Sequence, residues 1–173
     1  MILFILGPSG VGKSTFARYL SKEHHWFHLE IDDPRGDGID IYGLRRAWDA
    51  FYLSTSPSLL AQAVRDLMKK ANASKCVVSF PSPLVLSPDH IDAAARESIR
   101  VTYLYATAAQ CIDAFLQRER ESMRNLSLDH WLGFNKESYI AMSRPEFRPH
   151  RINVFEAGGR RSNADILRDL MQE

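Results

Sequence analysis

The N-terminal segment constrains the fold more than any other part of this sequence. An apolar run over 2–6 is followed by the segment GPSGVGKST at 7–15, and a helical pattern extends over 13–22. A short run that is apolar on both faces is typical of a strand buried inside a sheet. The segment 7–15 matches the pattern G-x-x-x-x-G-K-[ST], which lies between a strand and a helix. We therefore expect a buried strand that passes through a glycine-rich turn directly into a helix.

The rest of the chain alternates in the same way between short apolar runs and longer helical patterns. This alternation favours a parallel sheet covered by helices on both faces. No internal repeat or linker divides the sequence, so we expect one α/β domain over 1–173. Thr107 and Asn163 are the expected N-terminal caps of two helices. Further strands are expected at 27–31, 76–80, 101–105 and 152–155, further helices at 42–53, 58–72, 87–98, 108–121 and 163–170, and a Gly- and Asp-rich loop at 35–41.

Composition excludes several classes of protein. Hydrophobic residues make up 45% and charged residues 25%, as in ordinary globular domains, which argues against a disordered or collagen-like chain. The apolar run at the start is far shorter than the roughly 20 residues that span a bilayer. The net charge of +1 gives no general attraction to nucleic acid. Cys76 and Cys111 form neither a metal motif nor a disulfide framework. We expect a cytoplasmic monomer or homodimer without a membrane or nucleic-acid partner.

The segment 7–15 has the chemistry of a phosphate-binding loop. Glycines allow backbone angles and close approaches that a Cβ would obstruct, so successive N–H groups can turn toward one anion at a helix N-terminus. Lys13 is expected to reach the β- and γ-phosphates of ATP, and the Ser14 hydroxyl to ligate Mg²⁺. Thr15 serves the α-phosphate or the first helical turn. The expected nucleotide-binding residues of this loop are Gly7, Ser9, Gly10, Val11, Gly12, Lys13, Ser14 and Thr15.

With this loop, the chain resembles the small P-loop kinases, which include shikimate kinase, gluconate kinase and the nucleoside monophosphate kinases. The glycine loop follows the first strand, an acidic cluster ends the second, arginines follow the fifth helix, and a glycine pair follows the last strand. The resemblance implies a three-layer P-loop fold with a five-stranded parallel sheet in the order 2-3-1-4-5. It also implies a helical lid at about 122–149. From its pattern alone, this segment is either a lid or an ordinary helical excursion.

Acidic residues end the second expected strand, where a parallel sheet faces its ligand. Phosphoryl transfer to an alcohol uses a carboxylate that accepts the hydroxyl proton or orients Mg²⁺. We expect Asp32 to be the base and a metal-site residue, with Asp33 near the metal or the substrate. Glu30 and Asp32 give the x-spaced acidic pair of the related kinases. The alternative is that 32–34 is only a turn. The third strand ends without an acidic residue, which disfavours a motor-type ATPase.

Clustered arginines are the next candidates, although arginines often lie on a solvated face. Guanidinium groups stabilise the charge of a transferring phosphoryl group best where water is excluded. By resemblance, Arg118 or Arg120 is the lid arginine that closes on ATP, with Arg118 assigned to catalysis. Arg144 occupies the place where shikimate kinase carries a substrate-binding arginine. Arg160 follows the last strand and is expected to stack on the adenine base.

The acceptor pocket is expected at 34–56 and in the turn at 80–83. Arg35 and Arg45 offer anion-binding groups there, and the aromatic residues at 48, 51 and 52 are either pocket walls or helix core. The favoured function is an ATP- and Mg²⁺-dependent kinase of a small hydroxylated or phosphorylated metabolite. A nucleotide kinase or polynucleotide 5′-hydroxyl kinase is an alternative, since 32–35 resembles the Asp-Asp-x-Arg pattern of the latter. A nucleotide-binding regulator or slow ATPase without an acceptor is another.

Overall fold

The computed structural model describes residues 1–31, 43–82, 84–123, 126–157 and 159–172. Its strands are β1 Ile2–Leu6, β2 Phe27–Glu30, β3 Cys76–Ser79, β4 Ile99–Tyr105, β5 Arg151–Asn153, β6 Phe155–Glu156 and β7 Gly159–Arg160. Its helices are α1 Lys13–His24, α2 Arg45–Ser54, α3 Ser58–Lys70, α4 Pro88–Arg96, α5 Ala108–Glu121, α6 Leu128–Met142 and α7 Asn163–Gln172, with a 3-10 helix at Pro145–His150. No helix in this described part of the chain is both long and apolar enough to cross a membrane.

Five strands form one parallel sheet in the order β2-β3-β1-β4-β5, with helices on both sides. Cys76 at the start of β3 pairs with Ile2 of β1 and with Phe27 of β2. Tyr103 of β4 pairs with Arg151 of β5. Every residue of β1 and β3 is buried, as expected for strands covered on both faces. The three-layer α/β architecture and the order 2-3-1-4-5 are therefore confirmed.

The chain divides into two compact units. The first comprises Met1–Ile5, Ser14–Pro81 and Leu86–Val101, and the second comprises Leu6–Lys13, Ser82–Val85 and Thr102–Glu173. In the first unit, two of the three aromatic side chains of α2 pack inward. The rings of Trp48 and Phe80 lie 4.3 Å apart, and Phe51 is fully buried. Tyr52 is 43% exposed. Trp48 and Phe51 are therefore helix core, which is one of the two roles expected for them.

In the second unit, two helix starts test the capping predictions. The Thr107 hydroxyl accepts from the backbone N–H of Gln110, whose side chain accepts from the Thr107 N–H, so that α5 begins with the expected cap. The prediction for α7 was wrong by one residue. The Ser162 hydroxyl accepts from the Asp165 N–H, and Asn163 is already helical. Ser and Asn are equally good caps, so the sequence pattern did not separate them.

The expected fifth strand at 152–155 is divided by Val154. The Val154 N–H donates to the Tyr105 carbonyl, while its own carbonyl accepts from the Arg161 N–H. Beyond Val154 the chain turns back on itself, and Phe155 pairs antiparallel with Arg160. The parallel strand is therefore short, and a hairpin follows it. The expected loop at 35–41 lies outside the described residues.

Candidate functional site

The glycine-rich loop of the second unit adopts backbone angles that favour glycine. Gly7, Gly10 and Gly12 have φ of 144°, 88° and 94°. A Cβ on Gly7 would lie 2.5 Å from the Leu104 carbonyl oxygen, and one on Gly10 would overlap the Cys111 carbonyl oxygen. The loop is thus packed directly against the end of β4 and the first turn of α5, leaving no room for side chains at these two positions.

Lys13 folds back along this loop. Its ammonium donates to the carbonyl oxygens of Gly7 at 2.8 Å and Pro8 at 3.2 Å, and to the Ser82 hydroxyl at 3.0 Å. Lys13 is only 9% exposed. A lysine that is buried as a cation needs such partners, because desolvating an unpaired charge is costly. The loop therefore holds the ammonium beside its own backbone, where a phosphate bound by the loop N–H groups would also lie.

Helix α6 contacts the same loop through two side chains that the sequence interpretation did not assign to the site. The Asn135 side-chain oxygen accepts from the Ser9 N–H at 2.7 Å, and the Trp131 indole N–H donates to the Ser9 carbonyl at 2.9 Å. The Asn135 amide also donates to the Trp131 carbonyl at 2.9 Å. Both residues are 1% exposed. Their i,i+4 spacing puts them on one helix face, but no sequence pattern indicates that this face contacts the loop.

Arg160 of β7 reaches the loop from another direction. Its guanidinium lies 2.7 Å from where a Cβ on Gly12 would be, and it donates to the Asn163 side-chain oxygen at 3.2 Å. Burial lowers the pKa of Arg160, although arginine remains charged at neutral pH. The structure therefore adds a positive charge at Gly12, beside the expected path of the phosphates.

In the first unit, the residue after Lys13 is paired with an acid. The Ser14 hydroxyl donates to a carboxylate oxygen of Glu30, the last residue of β2. A hydroxyl and a carboxylate are oxygen donors of the kind that Mg²⁺ prefers, so these residues fit the expected metal. The sequence interpretation named Glu30 in the acidic pair but assigned the metal to Ser14 and Asp32. Asp32, Asp33 and Arg35 lie outside the described residues.

Arg118 and Glu119, its neighbour on α5, form an ion pair. The Arg118 guanidinium donates twice to one carboxylate oxygen of the buried Glu119, at 2.7 and 3.0 Å, and lies over the Phe115 ring. The side chains of Arg120 and Arg144 are exposed. Within the second unit's described residues, no hydrogen bond joins these three arginines to the loop. Arg45 in the first unit is exposed and pairs with Asp49 at 3.6 Å.

Of the remaining loop residues, Val11 is fully buried and Thr15 is exposed on α1. The structure thus gives the loop three kinds of polar neighbour in the second unit: the α6 pair, the Ser82 hydroxyl and Arg160. In the first unit it gives Ser14 a carboxylate.

No protein-family model matches the sequence, and no curated protein matches it significantly. Solved structures do match over nearly the whole chain. Shikimate kinase from Acinetobacter baumannii in complex with shikimate has a TM-score of 0.51 and 18% identity, covering 99% of this chain and 90% of that one. A gluconokinase from Sinorhizobium meliloti 1021 has a TM-score of 0.50 and 14% identity, covering 98% and 89%. Deoxyadenosine kinase from M. mycoides with bound dATP has a TM-score of 0.50 and 16% identity, covering 100% of both chains.

This chain has the fold of the small P-loop kinases. The predicted resemblance is confirmed at the level of the fold, since each of these three structures matches 98–100% of this chain. Identities of 14–18% do not transfer individual residues. The P-loop kinase fold therefore places the glycine loop at the end of β1, while the roles of single side chains rest on this chain's own geometry.

Proposed function

We propose that this protein is an ATP- and Mg²⁺-dependent phosphotransferase that moves the γ-phosphoryl group to a hydroxyl or phosphate of a small metabolite. The observation that carries the proposal is the glycine loop with the buried Lys13 ammonium, inside a P-loop kinase fold. Anions bind such a loop through backbone N–H groups and the helix N-terminus. The two buried, free cysteines, Cys76 and Cys111, suit a reducing compartment such as the cytoplasm.

The residues of the loop divide the work of binding ATP. Gly10 lets the loop pack against α5, and Gly12 lets the Arg160 guanidinium approach the loop. Lys13 neutralises the β- and γ-phosphates, and Arg160 adds charge beside Gly12. When bound, Mg²⁺ would neutralise part of the negative charge on the phosphate oxygens. The Ser14 hydroxyl would hold it, and Glu30 orients that hydroxyl and the waters around the ion.

The acceptor side rests on residues that the sequence assigned. Asp32 accepts the proton of the acceptor hydroxyl while its oxygen attacks the γ-phosphorus. The bond to the oxygen bridging the β- and γ-phosphates breaks, and ADP leaves with that electron pair. Asp33, Arg35, Arg45 and Arg144 are proposed to bind the acceptor, and Arg118 and Arg120 to close on the transferring group. Because Arg118 is paired with Glu119, its use in catalysis requires that it exchange this partner for phosphate.

A nucleoside acceptor is the second candidate. The structure of deoxyadenosine kinase with bound dATP matches this chain over the full length of both, and this likeness supports a nucleoside as acceptor. A nucleotide-binding regulator without an acceptor is the remaining alternative.

The test is ADP production from Mg²⁺-ATP across a panel of acceptors: sugars, sugar acids, shikimate, nucleosides, nucleoside monophosphates and a 5′-hydroxyl oligonucleotide. One acceptor class is expected to raise the rate well above the acceptor-free background. Lys13→Ala should abolish this increase, and Lys70→Ala, an exposed lysine at the end of α3, should not. Equal rates in wild type and Lys13→Ala would contradict the proposal. Nucleotide binding without any acceptor effect would favour the regulator.

A further inference from the structure

We infer that the Ser82 hydroxyl binds the γ-phosphoryl group of ATP, as a neutral donor beside Lys13. The inference rests on the proposed function and extends it to a residue outside the glycine loop. Ser82 belongs to the second unit, together with loop residues 6–13. Its hydroxyl oxygen lies 3.0 Å from the Lys13 ammonium nitrogen and 2.8 Å from the Ser9 hydroxyl oxygen.

The hydrogen-bond directions leave the Ser82 proton available. An ammonium group can only donate, so the Ser82 oxygen accepts from Lys13. The Ser9 hydroxyl also donates to this oxygen. A hydroxyl oxygen has two lone pairs, which these two bonds occupy, and it keeps one proton to donate. Among the residues that the structure describes, Ser82 has no acceptor for that proton.

The Lys13 ammonium fixes where a phosphate meets Ser82. It donates to the carbonyls of Gly7 and Pro8, which belong to the loop itself, and to the Ser82 hydroxyl, which approaches from outside the loop. A phosphate oxygen that Lys13 binds outside the loop is therefore expected to lie beside the Ser82 oxygen.

The γ-phosphate is the group that meets Ser82. Backbone N–H groups of a P-loop surround the α- and β-phosphates, while the lysine reaches on to the β- and γ-phosphates. A side chain that contacts Lys13 from outside the loop thus faces the terminal phosphate. By rotating, the Ser82 hydroxyl gives up its role as acceptor for Lys13 and donates its free proton to a γ-phosphate oxygen. ADP lacks this oxygen, so Ser82 discriminates between the triphosphate and the diphosphate.

The experiment compares two nucleotides in four proteins. Binding of ADP and of the non-hydrolysable β,γ-imido analogue of ATP is measured by calorimetry with Mg²⁺ for wild type, Ser82→Ala, Ser82→Thr and Ser58→Ala. Ser58→Ala is the matched control, because it also removes a hydroxyl that donates one hydrogen bond, here to Glu97 at 3.0 Å. Ser82→Ala should weaken binding of the triphosphate analogue by about ten- to 150-fold, as expected for one hydrogen bond to a charged group, and change ADP binding less than about twofold. Ser82→Thr should keep most of the wild-type affinity.

Two results would overturn the inference. Equal weakening of both nucleotides would mean that Ser82 only supports the loop. Unchanged or tighter binding of the triphosphate analogue would mean that Ser82 is merely an acceptor for Lys13 before the nucleotide arrives. If the wild-type protein bound neither nucleotide, the proposed function itself would be contradicted. This result is distinct from failure of the inference on Ser82, because it is seen in the wild-type protein alone.

Discussion

At the scale of single residues, replacing glycine by alanine is expected to have opposite effects at two positions of this chain. Gly10 has φ of 88°, and a Cβ there would overlap the Cys111 carbonyl. Gly133 lies inside α6, and nothing lies within 4 Å of its Cβ position. Position 10 therefore requires glycine. At position 133 glycine only destabilises the helix, because it loses more backbone entropy on folding than alanine would.

Gly10→Ala should therefore lower the free energy of unfolding by about 2–4 kcal/mol, because backbone strain and overpacking add. Gly133→Ala should raise it by about 0.5–1 kcal/mol. Urea denaturation of both variants measures the difference. A Gly10→Ala protein as stable as Gly133→Ala would show that the loop is not packed against α5.

The two cysteines are predicted to be unreactive thiols. Burial raises the pKa of Cys76 and of Cys111 to about 12, from a usual value near 9. Since the pKa in the folded state lies above that in the unfolded state, the stabilisation is full below about pH 9 and is lost as the pH rises toward 12. At pH 8, a thiol reagent should label neither cysteine in the folded protein and both in denaturant, as counted by mass spectrometry. Rapid labelling of either one under native conditions would contradict its burial.

The roles of individual side chains were the hardest feature to predict from the sequence. The loop pattern predicts the roles of Lys13 and Ser14, because phosphate requires a cationic residue there and Mg²⁺ requires a hydroxyl. The Glu30 side chain was assigned no individual role, because the sequence shows an acid at the end of a strand without showing which serine it faces. Ser82 lay in the turn expected to line the acceptor pocket, and only the fold brought it to Lys13.

At the scale of elements, helix α6 is the most informative. Its segment mixes aromatic and basic residues, a pattern that fits either a lid or an ordinary helical excursion. In the structure, Trp131 and Asn135 are buried and hydrogen-bonded to both backbone groups of Ser9. The helix face defined by these two residues therefore fixes the backbone of the phosphate loop at its third position.

Asn135→Ala should lower the free energy of unfolding by about 1–3 kcal/mol, since the Ser9 N–H loses its partner, and raise the KM for ATP. Ser138→Ala is the control, because Ser138 is on the same helix but donates only to the Asn135 carbonyl at 3.0 Å. Denaturation and steady-state kinetics measure the two effects. If Ser138→Ala changed the KM for ATP as much as Asn135→Ala, the link between α6 and the loop would be a general effect of helix stability.

At the scale of the whole molecule, the proposed nucleotide should stabilise the folded state. Mg²⁺-ATP at about 100 times its Kd is expected to add about 2.7 kcal/mol, or roughly 5–10 °C in Tm for a chain of this length. Lys13→Ala should remove most of this shift, whereas Lys70→Ala should retain it. Differential scanning calorimetry with and without nucleotide gives the comparison. An equal shift in Lys13→Ala would show that ATP binds somewhere other than the loop.

The sequence alone determined the α/β architecture, the order of its elements and the phosphate loop. These features follow from local signals in the sequence. The signals are apolar runs, helical periodicity, capping residues such as Thr107, and the glycine pattern of a phosphate-binding loop. Tertiary structure decided which side chains meet. The pairs of Ser9 with Asn135, Lys13 with Ser82, Ser14 with Glu30 and Arg160 with Gly12 join residues distant in sequence. A hydrogen bond depends on the position of both partners to within about half an ångström, and residue order does not specify distances on that scale.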